Sequence, residues 1–133
     1  MAILRMPSLP DEIERVATCI VNSALTVHRT LGPGLLESVY ETCLAYEIKK
    51  NGLKVERQVA LPVYYDNVQL ETDFRLDFLV ADTVVIEIKA VETILPVHQA
   101  QLLTYLRLAH KPLGFLINFN VPLIKQGIKR MRL

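Results

Sequence analysis

The sequence predicts an α/β domain in which a mixed sheet of four to five strands is flanked by helices, with two helices preceding the sheet. Two segments with helical spacing come first, and apolar runs with a period of two follow them. A further helical segment separates the last two strand-like runs. A strand-helix-strand unit favours parallel neighbours joined by a right-handed crossover, so the strand before this helix is expected at the centre of the sheet.

The first two helices have start and stop signals. Asp11 is expected to cap the first helix with Glu14 as its partner, and helical spacing continues to about Thr30. Glycine and proline at 32–34 then break the pattern before a second helix, predicted over Leu35–Lys50.

The rest of the chain alternates between strand and helix patterns. Turn residues and prolines mark the boundaries between the apolar runs. The predicted strands are Val55–Tyr65, Val68–Val80, Thr83–Ala90 and Leu113–Phe119, and the predicted helices are His98–Ala109, starting near Pro96, and a short amphipathic closing helix, Pro122–Met131.

Length and composition limit the function classes. The 133 residues, 51% of them hydrophobic, are enough for one domain spanning residues 1–133 with a buried core. The formal net charge of +1 gives no global electrostatic footprint for nucleic acid, so such binding would need a local patch, a homo-oligomer or a partner protein. The N-terminal residues 1–7 lack a signal peptide's apolar stretch and no run approaches a membrane span, so a cytoplasmic protein is expected.

A predicted hairpin carries two facing carboxylates. A three-residue loop at 81–83 places Asp77 opposite Glu87, on the same face as Lys89. Opposed side chains have Cβ atoms about 4.5–5.5 Å apart, and like charges at that range destabilise a sheet unless something compensates them. A hard divalent cation such as Mg²⁺ would compensate, and the lysine would orient water or stabilise developing negative charge.

The same residues have a simpler interpretation as a solvated, salt-bridged sheet face. Arg75 falls opposite Lys89 in this register, which gives alternating acidic and basic pairs. The run Val84–Ile86 before Glu87 resembles a buried strand, however, and burying a carboxylate without a partner is costly. Both interpretations remain open at this point.

Two helical positions could contribute to such a site. Glu37 lies in the first turn of the second helix, where an acid complements the helix dipole or, alternatively, reaches toward the hairpin. His98, Gln101 and Tyr105 form a polar stripe on the later helix, which is either a solvent-facing surface or part of a cleft.

In order along the chain, these residues resemble the PD-(D/E)XK nuclease superfamily, and more closely its small GxxExxY branch. A leucine, Leu76, stands where the superfamily pattern has a proline before its first acid. The matching residues are Gly34, Glu37 and Tyr40 for the branch motif, Asp77 with Glu87-Ile88-Lys89 for the catalytic signature, Gln101 to Tyr105 for the Gln-x-x-x-Tyr element of RecB-type nucleases, and the strand Leu116–Phe119.

The resemblance implies a restriction-endonuclease-like core and a metal-dependent nuclease acting on DNA or RNA. It implies that Asp77, Glu87 and the main-chain carbonyl of Ile88 bind Mg²⁺ or Mn²⁺, with Glu37 as a further ligand directly or through water. Lys89 would position the attacking water, and the product would carry a 5′-phosphate. The remaining implied contributors, which would line the cleft and contact the phosphate or order the lysine, are Gln101, Tyr105 and His98.

Two alternatives to a nuclease remain. One is a catalytically quiet module that keeps this architecture to bind nucleic acid or a partner protein. The other is a plain α/β domain whose acid pair is structural.

Overall fold

The computed structural model describes residues 8–133, so the N-terminal segment considered for a signal peptide lies outside the described residues. Within that range the chain has three α-helices: α1 (Asp11–Leu31), α2 (Glu37–Lys50) and α3 (Pro96–Ala109). The strands are β1 (Val55–Ala60), β2 (Val63–Tyr65), β3 (Val68–Leu70), β4 (Arg75–Val80), β5 (Val84–Lys89), β6 (Leu113–Asn118) and β7 (Ile128–Arg132).

The main sheet has five strands in the order β1-β4-β5-β6-β7, and β2 and β3 form a separate two-stranded hairpin. Strands β5 and β6, joined through α3, are parallel, whereas the other pairs of the sheet are antiparallel. The predicted mixed α/β sheet, its parallel pair and the central place of the Glu87 strand are therefore confirmed.

Helices cover both faces of this sheet. Helix α1 carries apolar residues at helical spacing, including Val16, Ile20 and Ala24, and together with α2 it packs on the face that contains Phe78 and Ile86. Helix α3 packs on the opposite face with Leu102 and Leu106, among others. Two apolar layers thus enclose β5, whose residues from Val84 to Ile88 are all buried.

The hairpin between β4 and β5 has the predicted register. Val80 pairs with Val84 and Phe78 with Ile86, with residues 81–83 as the loop. The next pair along this register is Asp77 and Glu87.

The predicted closing helix over Pro122–Met131 is wrong. A short 3₁₀ turn, Ile124–Gln126, is followed by β7, which pairs with β6 from Leu113↔Arg132 to Ile117↔Ile128. All six residues of β6 are buried, and a buried strand needs hydrogen-bond partners on both edges. The basic residues of β7 suit an edge strand, because charged side chains discourage further strand pairing.

The other differences concern element boundaries. Each of the two long predicted strands is two strands: Leu61 and Pro62 separate β1 from β2, and residues 71–74 separate β3 from β4. Asp11 is the first helical residue and not the cap, since Pro10 holds the cap position and no side chain caps the helix. Helix α2 begins at Glu37, two residues later than predicted.

Candidate active site

The Asp77 and Glu87 side chains each accept a hydrogen bond from the main chain of the strand opposite. The Asp77 Oδ2 atom accepts a hydrogen bond from the Ile88 amide at 2.8 Å, and Glu87 Oε1 accepts one from the Asp77 amide at 3.3 Å. These bonds follow directly on the last regular backbone pair of the hairpin, Phe78 with Ile86. Both carboxylates are therefore fixed where β4 and β5 stop pairing through their backbones.

Burial and the charge of Asp77 raise the proton affinity of Glu87. Glu87 is only 7% exposed, so the interpretation of its carboxylate as part of a solvated face does not hold. Burial, followed by the charge of Asp77, raises the pKa of Glu87 to about 9. Near neutral pH Glu87 thus keeps a proton. A cation placed between the two groups would take over the role of that proton.

The acid pair provides only part of the ligands that a metal ion needs. Among residues 8–133, no group of three or more His, Cys, Asp and Glu side chains is arranged to hold one. The site therefore offers two carboxylates. This set fits Mg²⁺, which usually binds through one or two carboxylates and keeps several of its waters, better than a dedicated cage of side chains.

The loop before α2 holds Glu37 at the edge of this pair. Gly34 has a φ of +96°, a conformation that side-chain-bearing residues rarely adopt. The buried Tyr40 hydroxyl donates to the Gly32 carbonyl at 2.6 Å and accepts from the Leu35 amide at 3.1 Å. Its ring stacks on Phe119 with centroids 4.6 Å apart. Tyr40 is thus a structural anchor that fixes the start of the helix carrying Glu37.

Glu37 responds to the charges of the site. Although the residue as a whole is exposed, desolvation of its carboxyl group raises its pKa, and the charge of Asp77 raises it further. The charge of Lys89 acts in the opposite direction. Because Glu37 does not complete a three-acid cluster with Asp77 and Glu87, contact with a cation through water fits this position better than direct coordination.

Lys89 lies at the end of β5, half-buried, and its charge acts on both Glu37 and Glu87. The backbone there is held by β6: the Phe119 amide donates to the Lys89 carbonyl at 3.0 Å. The buried Asn118 side chain bonds both the amide and the carbonyl of Val91, at 3.1 and 2.8 Å. These bonds fix the direction in which the chain leaves the lysine.

Helix α3 brings Tyr105 toward the acids. Its side chain is mostly buried, and its pKa is raised by burial and then by the charge of Glu87. Gln101 donates to the Tyr105 hydroxyl at 3.1 Å, so these two predicted residues act as a unit. His98 has a different role, because its Nδ1 accepts from the Leu95 amide at 3.0 Å and thereby caps the start of α3.

Sequence reasoning missed Gln58 and Glu41. The Gln58 amide nitrogen lies 2.7 Å from Glu41 Oε1 and 3.4 Å from Asp77 Oδ1. The positions of these two polar residues can be read from the sequence, although their contacts cannot. Glu41 lies one helical turn after Glu37, and Gln58 lies in a strand that pairs with the Asp77 strand.

The sequence also matches a known protein family. A sequence profile of the PD-(D/E)XK nuclease superfamily matches residues 14–131, which include all of the α1-to-β7 core apart from the ends. No curated protein and no solved structure matches the chain. Nucleases of this superfamily typically use divalent metals. With its helix-covered, mixed five-stranded sheet of restriction-endonuclease type, the chain belongs to the PD-(D/E)XK nuclease superfamily.

Proposed function

We propose that the protein is a divalent-metal-dependent nuclease that hydrolyses phosphodiester bonds in DNA, with RNA as the other candidate substrate. The observation that carries this proposal is the buried Glu87 carboxylate beside Asp77, where each side chain accepts a hydrogen bond from the main chain of the strand opposite. The charge of Lys89 acts on Glu87, and the charges of the acid pair act on Tyr105 and Glu37.

The roles follow from the chemistry of the side chains. Asp77, Glu87 and the Ile88 carbonyl would hold Mg²⁺ or Mn²⁺, with Glu37 contacting it through water. The bound cation would polarise a phosphoryl oxygen and make bound water more acidic. Lys89 orients the attacking water and stabilises the negative charge that develops on the phosphate. Tyr105, held by Gln101, forms the cleft wall beside the acids.

The GxxExxY, RecB-like branch is part of the same proposal. Each residue of its motif has a distinct task in the structure: Gly34 provides a positive φ, Glu37 is close enough to Asp77 for the Asp77 charge to raise its pKa, and Tyr40 anchors the loop. On α3, Gln101 and Tyr105 are joined by a hydrogen bond, which gives the Gln-x-x-x-Tyr element a physical basis.

Cleavage of single-stranded, duplex and branched DNA and of RNA, with Mg²⁺ or Mn²⁺, tests the function. We expect Lys89→Ala to lower the cleavage rate by about 10²–10³-fold while metal binding measured by calorimetry is retained, because the ammonium acts on the reacting phosphate. Lys50→Ala, which removes an exposed lysine on α2, is the matched control and should cleave normally. Wild-type protein that binds metal but cleaves none of these substrates would instead be the catalytically quiet module.

Binding of nucleic acid is expected to require more than one copy of the chain or a partner protein. The formal net charge is only +1, so a single copy provides little general attraction for phosphates. Light scattering of the protein with and without DNA tests this expectation. A monomer that binds DNA tightly without a partner would contradict it.

A further inference from the structure

Gln58 has a backbone conformation that is unusual for a strand residue. Its φ is +52°, a region that residues with a side chain rarely adopt, although it lies within β1. Its neighbours pair normally with β4, Arg57 with Phe78 and Val59 with Leu76, and the position opposite Gln58 is Asp77. Gln58 is exposed, so burial of its side chain does not explain this conformation.

The Gln58 side chain bridges two carboxylates from different elements. Its Nε2 atom donates to Glu41 of α2 at 2.7 Å and to Asp77 of β4 at 3.4 Å. An amide nitrogen has two hydrogens, one for each acceptor, and since both partners are acidic the nitrogen and not the oxygen must face them.

Glu41 is itself held in place from its other side. The Arg57 guanidinium donates to Glu41 Oε2 and to the Thr42 hydroxyl, both at 3.2 Å. Both oxygens of Glu41 therefore have partners on β1. A continuous set of bonds runs from Arg57 through Glu41 and Gln58 to Asp77.

This set leaves Asp77 with both oxygens fixed. The Ile88 amide holds Oδ2 at 2.8 Å, and Gln58 is the partner of Oδ1. We propose that Gln58 is a positioning residue that orients the Asp77 carboxylate for the cation and that its left-handed backbone is the strain required to reach both acids. This inference rests on the proposed function, because it assumes that Asp77 is a metal ligand.

The test compares two substitutions to glycine. Asp66 has the same φ of +52° but lies in the exposed turn of the β2–β3 hairpin. Gln58→Gly and Asp66→Gly should both relieve the left-handed strain and leave the melting temperature of the metal-free protein unchanged or higher. Only Gln58→Gly should weaken Mn²⁺ binding measured by calorimetry without substrate, by about 10–100-fold, as is typical when a residue that orients a metal ligand is lost.

An isosteric variant separates the hydrogen-bonding role from side-chain size. Gln58→Met keeps a similar length and shape but has no donor and adds no charge, so its Mn²⁺ affinity should fall about as far as that of Gln58→Gly. In the cleavage assay, Gln58→Gly should lower kcat with little change in KM, because it affects the reacting centre and not substrate binding.

The outcomes distinguish the two proposals. If wild type binds Mn²⁺ and Asp77→Asn does not, but Gln58→Gly binds like wild type, the positioning role is wrong and the metal site stands. If wild type binds no Mn²⁺, the proposed function is overturned and the positioning role with it. A loss of thermal stability in Gln58→Gly greater than in Asp66→Gly would assign Gln58 to the fold instead.

Discussion

At the scale of single residues, two features of the site favour an uncharged Glu87. It is buried in the central strand, which favours a neutral group, and it lies beside Asp77, which also favours a neutral group. In the metal-free protein Glu87 therefore keeps its proton near neutral pH. In a nuclease the Glu87 carboxyl group must lose that proton to bind a cation. A buried acid that lowers the stability of the fold is thus explained by its function.

The stability of the metal-free protein should therefore fall as pH rises. The folded protein keeps the Glu87 proton up to a pKa of about 9, whereas the unfolded chain releases it near 4.5, so stability is fully present below 4.5 and is lost progressively toward pH 9. Glu87→Gln keeps the shape without the charge and should stabilise the protein at pH 8 by about 1–3 kcal/mol. Urea unfolding at pH 5 and pH 8 measures this, with the exposed Glu71→Gln as control. A destabilised Glu87→Gln at pH 8 would contradict the assignment.

Tyr40 shows how a motif residue can act without touching the acids. It is fully buried and satisfies both the Gly32 carbonyl and the Leu35 amide, which would otherwise lack these bonds in the turn before α2. Its effect on the site passes through the placement of Glu37.

Tyr40→Phe should destabilise the protein by about 1–3 kcal/mol, because it leaves two backbone groups without their partner. Tyr46→Phe is the matched control, since Tyr46 lies on the same helix and is 65% exposed. Chemical denaturation of both variants tests this role. Equal stabilities would show that the hydroxyl does not hold the turn.

At the scale of elements, the hairpin and the closing strand show what local sequence can and cannot determine. The loop at 81–83 is the only polar break between two apolar runs, and it alone sets the register that brings Asp77 to Glu87. Ile128–Arg132 has two apolar and three basic residues over so short a length that helix and strand patterns overlap. This segment forms a strand because it pairs with the open edge of β6, and that edge exists only in the tertiary structure.

The turn into β7 depends on a glycine. A Cβ atom on Gly127 would lie 2.0 Å from the Asn118 carbonyl oxygen, a backbone atom that cannot move without disturbing β6. Gly127→Ala should therefore cost about 1–3 kcal/mol or more of unfolding free energy.

Gly114→Ala provides the comparison for this variant. A Cβ there would meet the flexible end of the Leu102 side chain at 3.0 Å, which can adjust. Denaturation midpoints should fall further for Gly127→Ala than for Gly114→Ala. The reverse order would contradict the close approach of the 3₁₀ turn to β6.

At the scale of the whole molecule, the candidate site lies where both helical layers reach the central strand. Glu37 comes from the α2 side and Tyr105 from the α3 side, and the charges of the acid pair help to raise the pKa of both. Among residues 8–133 no helix is long and apolar enough to cross a bilayer.

The sequence predicted the ordered elements that bring these residues together, because hydrophobic period and turn chemistry are local properties. The bridge from Gln58 to Asp77 could not be predicted in the same way. It depends on a left-handed φ inside a strand and on the distance between β1 and α2, and neither leaves a local signal in the sequence.

A crystal structure of the protein soaked with Mn²⁺, with the anomalous signal recorded, tests the central claim most directly. We predict one strong peak between the Asp77 and Glu87 carboxylates, with Lys89 beside it. A protein that remains metal-free at high Mn²⁺ concentration, or a peak bound away from these two residues, would contradict the account.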